Sequence, residues 1–256
     1  MPHILITNDD GIQAAGLRAL VTAMRGLGRV SVVAPHQERS ATSQSLTLRR
    51  PIFFDQVAED EWAVEGTPTD AMIVALHQLF PQHPDVVVSG INRGDNLGDD
   101  VFYSGTVGAA MEAALNHVPS FAVSLVHGGG AMVYEPAAQF ARKLAEQILA
   151  EGLPAGVLLN VNVPQEWSGS VRFTRQSKKI TRTALLQGTD PRGRTYYWLN
   201  QEPSSNDVDP ASDYAAICAG AVSVTPLELD LTHELSLNHL SHWAQRLERP
   251  PGSTSG

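Results

Sequence analysis

Strand-length apolar runs alternate with stretches of helical period from residue 3 to residue 163, and this alternation leaves few folds open to the chain. The runs are HILIT (3–7), VSVVA (30–34), DVVVS (85–89), FAVSLV (121–126) and VLLNVNV (157–163). Strands that are apolar almost throughout belong in a sheet covered on both faces, and strands separated by helical segments pair in parallel through crossovers. Leu17, Leu20, Val21, Met24 and Leu27 recur at helical spacing, with Gly28 as the expected stop. GTPTD predicts a second helix that runs to about Leu79, with Thr67 as N-cap, Pro68 in its first position and Asp70 closing a capping box. Val107, Ala110, Met111, Ala114 and Leu115 mark a third helix, and Phe140, Leu144 and Ile148 a fourth. The fold class expected is α/β, a three-layer sandwich around a mostly parallel sheet.

From about Val171 the pattern shortens. VRFT, a polar stretch holding SKKITR and DPRGR, and TYYWL read as an extended β-hairpin arm; residues 216–231 read as a returning strand, and residues 234–247 as a terminal helix carrying Leu235, Leu237, Leu240, Trp243 and Leu247. Residues 1–168 are thus expected to form the catalytic core. Residues 169–247 form an appendage of the same domain, and 248–256 a disordered tail. The appendage has little core of its own, so a homo-oligomer is expected.

The formal net charge of -9 and the pI of about 5.4 disfavour a stable nucleic-acid partner or an anionic membrane surface. Cys218 is the single cysteine, which excludes an internal disulfide and suits a reducing compartment, with a buried structural thiol expected. No signal-peptide pattern and no membrane-length apolar run is present, so the expected location is the cytoplasm.

Asp9 and Asp10 follow the first strand at its carboxyl end, where ligands of open α/β sheets collect. Both carboxylates meet one ligand only if the chain turns there, as Gly11 permits, and a divalent cation would remove their mutual repulsion. The competing account has one Asp capping the next helix and the other in water. The loop after the second strand is rich in hydroxyls (Ser40, Thr42, Ser43, Ser45), which an ordinary polar surface loop also explains. After the third strand, Asn92 and Asn96 are neutral oxygen donors, and Ser104, Gly105 and Thr106 place hydroxyls and bare amides at a helix start suited to phosphate. Three such loops, none rich in histidine or cysteine, make a stronger constellation than any one.

The segments ILITNDDGI, VVAPHQERSATSQSLTL, VEGTPTDA, VVVSGINRGDNLGDDVFYSGTVGAAMEA and NVNVP, with DPRG and VSVTPL further on, resemble the signature blocks of the stationary-phase survival protein E (SurE) family, metal-dependent 5'-nucleotidases. The likeness runs from Ile4 to about Leu231. It implies that Asp9, Asp10, Ser40 and Asn92 ligate the metal and that Asn96 with Ser104, Gly105 and Thr106 holds the phosphate. It also implies a Rossmann-like domain with an extended hairpin and a C-terminal segment exchanged in a homodimer or homotetramer. In three places the chain departs from the family's habit: Ala41 stands where a glycine often follows the serine, which bears on loop geometry at Ser40; Asp95 puts an acid near the phosphate seat; and GIQAAG lacks a proline.

Two carboxylates, a hydroxyl and an amide carbonyl suit one hard divalent ion per subunit, magnesium, manganese or calcium, and not structural zinc. The expected reaction is hydrolysis of nucleoside 5'-monophosphates, with 3'-monophosphates and short polyphosphate as further substrates, in which Asp9 accepts the proton of the attacking water and Asn96, Ser104 and Thr106 stabilise the phosphoryl group. An aspartyl-phosphate phosphatase is one alternative, although its acids stand two residues apart; a metal-stabilised nucleotide-binding module without turnover is another. A dinucleotide fingerprint is absent from NDDGIQAAG. His36, the basic stretch RQSKKITR, Tyr196 to Trp198, and Asp99 with Asp100 are read as surface or packing residues.

Overall fold

The structure is a computed structural model, and it describes residues 1–178, 181–203 and 209–248. Lys179 and Ile180 of the basic stretch, and the expected tail from 249 onward, lie outside the described residues.

A nine-stranded sheet forms the middle layer. Its strands are β1 (His3–Thr7), β2 (Arg29–Pro35), β3 (Phe54–Ala58), β4 (Glu61–Val64), β5 (Val86–Arg93), β6 (Ser120–Val126), β7 (Val157–Pro164), β8 (Val171–Phe173) and β11 (Val222–Glu228). They lie in the order β3-β4-β2-β1-β5-β6-β7-β11-β8. From β4 to β7 the neighbours are parallel, as the five apolar runs predict. Side chains alternate across β1: Ile4 and Ile6 pack with Leu17, Leu20 and Phe140 on one face, and Leu5 packs with Met72, Ala109 and Ala113 on the other. Both faces are apolar because helices cover both.

The helices are α1 (Ala15–Met24) and α4 (Glu135–Glu151) on the first face, and α2 (Pro68–Val74) and α3 (Gly105–Leu115) on the second. The Thr67–Asp70 capping box is formed at the start of α2, and one π-turn (Ala75–Leu79) carries the helix to its expected end. α1 stops earlier than the sequence predicts. It ends at Met24, and Gly26, at φ 91°, takes the left-handed turn assigned to Gly28. Gly28 is instead needed for close approach, because a Cβ there would lie 2.1 Å from the carbonyl oxygen of Pro2.

In the appendage, VRF is not part of the arm; as β8 it pairs in parallel with β11 at the sheet edge. The arm itself is β9 (Thr181–Thr189) and β10 (Thr195–Pro203), antiparallel, in a separate two-stranded sheet. Its turn is fixed by the Asp190 carboxylate, which accepts the amides of Arg192 and Arg194 at 2.9 Å each. Residues 216–218, read from sequence as strand, belong to a short helix, α5 (Asp213–Cys218); Ser212 caps it, and the strand starts only at Val222. Cys218 is exposed, contrary to the buried thiol expected, because it is the last residue of the short helix α5. The terminal helical segment is α6 (Glu234–Leu240), a 3-10 turn (Ser241–Trp243) and α7 (Ala244–Leu247). No helix among the described residues is long and apolar enough to cross a membrane.

Candidate active site

β1 lies between β2 and β5 in the sheet, so the chain leaves β1 toward one side and returns to β5 on the other. This reversal of strand order opens a crevice at the carboxyl ends, and the loops after β1, β2 and β5 line it. Asn8 builds the first turn by donating its side-chain amide to the Gly11 carbonyl at 2.9 Å, and Gly11 takes φ 99°. A Cβ at Gly11 would meet the Gln37 backbone at 3.1 Å, so this glycine also lets the second loop lie against the first.

The loops are tied to one another. The Asp9 carbonyl accepts the Arg39 amide at 2.7 Å, joining the first loop to the second. Ser43 donates its amide to the Tyr103 carbonyl at 3.0 Å and its hydroxyl to the Phe102 carbonyl at 2.7 Å, joining the second to the third. The Thr67–Asp70 box holds the second loop as well, because Asp70 accepts the Thr47 amide at 3.0 Å and the Thr67 hydroxyl donates to the Ser45 carbonyl at 2.7 Å. Gly105 marks the point where all three meet: a Cβ there would lie 2.9 Å from the Asp9 Cβ, 3.0 Å from Asp9 Oδ2 and 3.0 Å from Thr42 Oγ1.

Asp9 is buried and accepts a hydrogen bond from the Thr106 hydroxyl on Oδ1. Burial pushes its carboxyl up to about 6; the Thr106 bond opposes this rise and the Asp10 charge adds to it. Asp10 is half-buried and its Oδ2 accepts the Arg93 amide at 3.1 Å. Burial also holds Asp10 above the usual carboxylate range, against the Arg93 amide, with Glu38 adding repulsion. α3 starts beside these acids. Ser104 is its N-cap, with Oγ accepting the Val107 amide at 3.1 Å, and the Gly105 and Thr106 amides lie in the first turn, where no intrahelical acceptor exists.

A family model described as Survival protein SurE matches residues 4–183. The chain belongs to the SurE family. It is 50% identical over 244 residues to the 5'-nucleotidase SurE of Geotalea daltonii, covering 94% of this chain and 98% of that protein. It is 46% identical over 260 residues to the 5'-nucleotidase SurE of Geobacter sulfurreducens, covering 99% and 98%. The crystal structure of the SurE protein from Aquifex aeolicus superposes with a TM-score of 0.85 at 36% identity, over 95% of this chain and all of that one.

The SurE residues named from the sequence fall into two groups. Asp9, Gly105 and Thr106 are packed together, with Ser104 one residue away, and Asp10 stands beside them. The second group is Ser40, which is exposed, and Asn92, which is half-buried. The Ser40 hydroxyl donates to Glu38 at 2.8 Å, and the Asn92 amide donates to the Gly94 carbonyl at 3.0 Å, which leaves the Asn92 carbonyl oxygen as acceptor. Ala41 sits at φ 56°, and Ser43 at φ 52°. Both adopt the left-handed conformation that glycine favours.

Asn96 is buried, and its side-chain amide donates to Ser124 Oγ at 2.8 Å. The residues that hold it, Ser124, Asn160 and Asn162, were missed as individuals by sequence reasoning. The available signal was two asparagines spaced by two within an otherwise apolar central strand, because buried amides must find partners. The described residues also contain a cavity of about 990 Å³ at the opposite, amino-terminal edge, near His3, Arg29 and Asp85. Several of its polar groups already pair with one another, as Arg29 does with Asp60 and the His3 amide with Asp85.

Proposed function

We propose that the chain is a divalent-metal-dependent 5'-nucleotidase, hydrolysing nucleoside 5'-monophosphates to nucleoside and phosphate, with 3'-monophosphates and short polyphosphate as further substrates of the same site. One observation carries this reading: a buried carboxylate, Asp9, with a second, Asp10, next to it, lies against the open first turn of a helix. The naming of its relatives as 5'-nucleotidases supports it.

Asp9, Asp10, Ser40 and Asn92 would hold one magnesium, manganese or calcium ion per subunit. The residues present fit such an ion: a buried carboxyl raised to about 6 beside another acid is a place that a dication stabilises, and every donor is an oxygen. When bound, the ion would lower the pKa of a water and shield the phosphate charge. Ser40 would turn from Glu38 toward the crevice, and Asn92 would offer its carbonyl oxygen. The Gly105 and Thr106 amides, the Ser104 hydroxyl and Asn96 would hold phosphoryl oxygens, and the helix N-terminus stabilises the charge that moves onto them. Thr106 spends its hydroxyl on Asp9, so it orients the acid that accepts the water's proton and meets the phosphate through its backbone amide.

The test is phosphate release from AMP with each ion and with excess EDTA. Chelation should abolish release, and Asp10→Asn should lower the rate about a hundredfold or more. Release that survives both overturns the reading. Tight nucleotide binding without release across all ions would select a binding module, and a trapped phosphoryl group on Asp9 an aspartyl-phosphate route.

A homodimer or homotetramer completes the proposal. Trp198 and Leu199 of the arm and Leu235 and Leu247 of the terminal helices are 68%, 77%, 77% and 77% exposed, a spread of apolar surface that a second copy would cover. The one cysteine and the acidic surface are in keeping with a cytoplasmic protein.

A further inference from the structure

We infer that Asn162, with Asn160 and Ser124, positions Asn96 for phosphate and so sets substrate affinity from beneath the site. The inference rests on the phosphate-holding role proposed above for Asn96. All three residues are fully buried, on the sheet face opposite the one that Val161 and Val163 give to the main core. Asn162 makes a reciprocal pair with the Asn96 backbone: its Oδ1 accepts the Asn96 amide at 2.8 Å and its Nδ2 donates to the Asn96 carbonyl at 3.1 Å. Asn160 donates to the same carbonyl at 2.8 Å, and Ser124 Oγ accepts the Asn96 side-chain amide at 2.8 Å. Asn96 is thereby fixed in backbone and side chain by two strands, although it lies in a loop.

Two amides within a central strand are costly to bury unless they bond, and both converge on one loop residue. The row continues sideways. Ser124 is in register with Asn162, and Asn162 with Ser223; Asn160 is in register with Thr225, and Thr174 bonds both Ser223 and Thr225 at 2.9 and 2.8 Å. A buried polar stripe thus runs across the sheet beneath the loop, with no member among the proposed metal ligands.

The test uses Asn162→Ala and Ser124→Ala in the full chain, with Ser124→Thr as the variant that keeps the hydroxyl and Asn96→Ala as reference. For each, KM for AMP, inhibition by inorganic phosphate, manganese affinity and Tm are measured. Misplacing Asn96 should weaken phosphate inhibition and raise KM roughly ten- to a hundredfold, as the loss of one hydrogen bond to a charged group does. Manganese affinity should hold within about twofold, and Ser124→Thr should recover the affinity that Ser124→Ala loses. A folded Ser124→Ala and Asn162→Ala with unchanged KM and phosphate inhibition, beside an Asn96→Ala that loses both, overturns the inference. If Asn162→Ala does not fold, Ser124→Ala alone decides. Unchanged phosphate inhibition in Asn96→Ala removes the underlying role of Asn96 instead, and the inference with it.

Discussion

The centre of the sheet and the hairpin arm are built from similar residues and end in opposite environments. In β1 and β5, Ile4, Leu5, Ile6, Val86, Val87 and Val88 are fully buried, because helices close both faces of the strands that carry them. In the arm, Leu185, Leu186, Trp198 and Leu199 are 62%, 53%, 68% and 77% exposed, and no helix among the described residues packs closely on the hairpin. Both regions are rich in strand-forming residues, so β propensity does not separate them, although apolar residues run more densely in the core strands than in the arm. What separates them is whether the same chain supplies the cover. An isolated two-stranded hairpin is marginal in water, which is why the arm is the surface proposed above for a second copy, whereas the strands of the core are already covered.

Paired substitutions test that contrast, and they carry the largest expected effect. Phe121→Ala opens a hole at the largest of the fully buried side chains and should cost about 3–5 kcal/mol of unfolding free energy. Leu199→Ser in the arm should change the stability of the folded monomer by less than about 0.5 kcal/mol while shifting the assembly toward smaller species. Denaturant melts and light scattering read the two quantities separately. A large loss of monomer stability from Leu199→Ser, with assembly intact, would break the comparison.

The crevice adds a second contrast, because there the core buries a charge in place of an apolar side chain. Asp9 has its carboxyl raised to about 6 in the fold against 3.8 for the free group, so the folded chain holds that proton more tightly than the unfolded chain. With chelator present, stability should therefore be highest below about pH 4 for this group, and fall by about 3 kcal/mol as pH rises to about 6. Asp9→Asn should flatten that part of the profile. A profile equally steep in Asp9→Asn would assign the slope to other groups.

Asp213 joins the two regions. Its carboxylate, buried at the start of α5, accepts the amides of Gly98 at 3.0 Å, Ser177 at 2.9 Å and Tyr214 at 2.7 Å, so the appendage braces the loop that carries Asn96. Asp213→Asn replaces one acceptor oxygen by a donor facing a donor. It should cost about 1–3 kcal/mol, as leaving a buried donor unpaired does, and activity should fall with it at temperatures below Tm. An active variant with that loss of stability would show that the brace serves the fold alone.

Much of this arrangement was legible because burial and capping write themselves into sequence. The five parallel strands follow from apolar runs, and the α2 capping box from Thr67, Pro68 and Asp70. β3 was not legible: it is an edge strand with all five residues exposed, so no burial pattern marks it. α5 was read as strand because AICAGAV is apolar throughout, and only Ser212 and Asp213 signal the helix start. At the site, the sequence could name the loops but not the directions of their side chains. Residue type does not reveal that Ser40 faces Glu38, that Thr106 faces Asp9, or that Asn162 pairs with the Asn96 backbone.

The smallest expected effect concerns Ala41, whose left-handed backbone carries a measurable strain. The loop needs a left-handed residue there, and alanine in that conformation costs roughly 1–2 kcal/mol relative to its preferred region. Glycine removes that cost but gives back about 0.5–1 kcal/mol through the greater freedom of the unfolded chain. Ala41→Gly should therefore stabilise the fold by only about 0.5 kcal/mol, while making Ser40 freer to leave Glu38. The informative readout is manganese affinity beside Tm. Because Ser40 reaches the proposed ion only by leaving Glu38, glycine should raise Tm slightly and tighten manganese binding together; a raised Tm beside weakened manganese binding would show instead that the strained alanine holds Ser40 where the ion needs it.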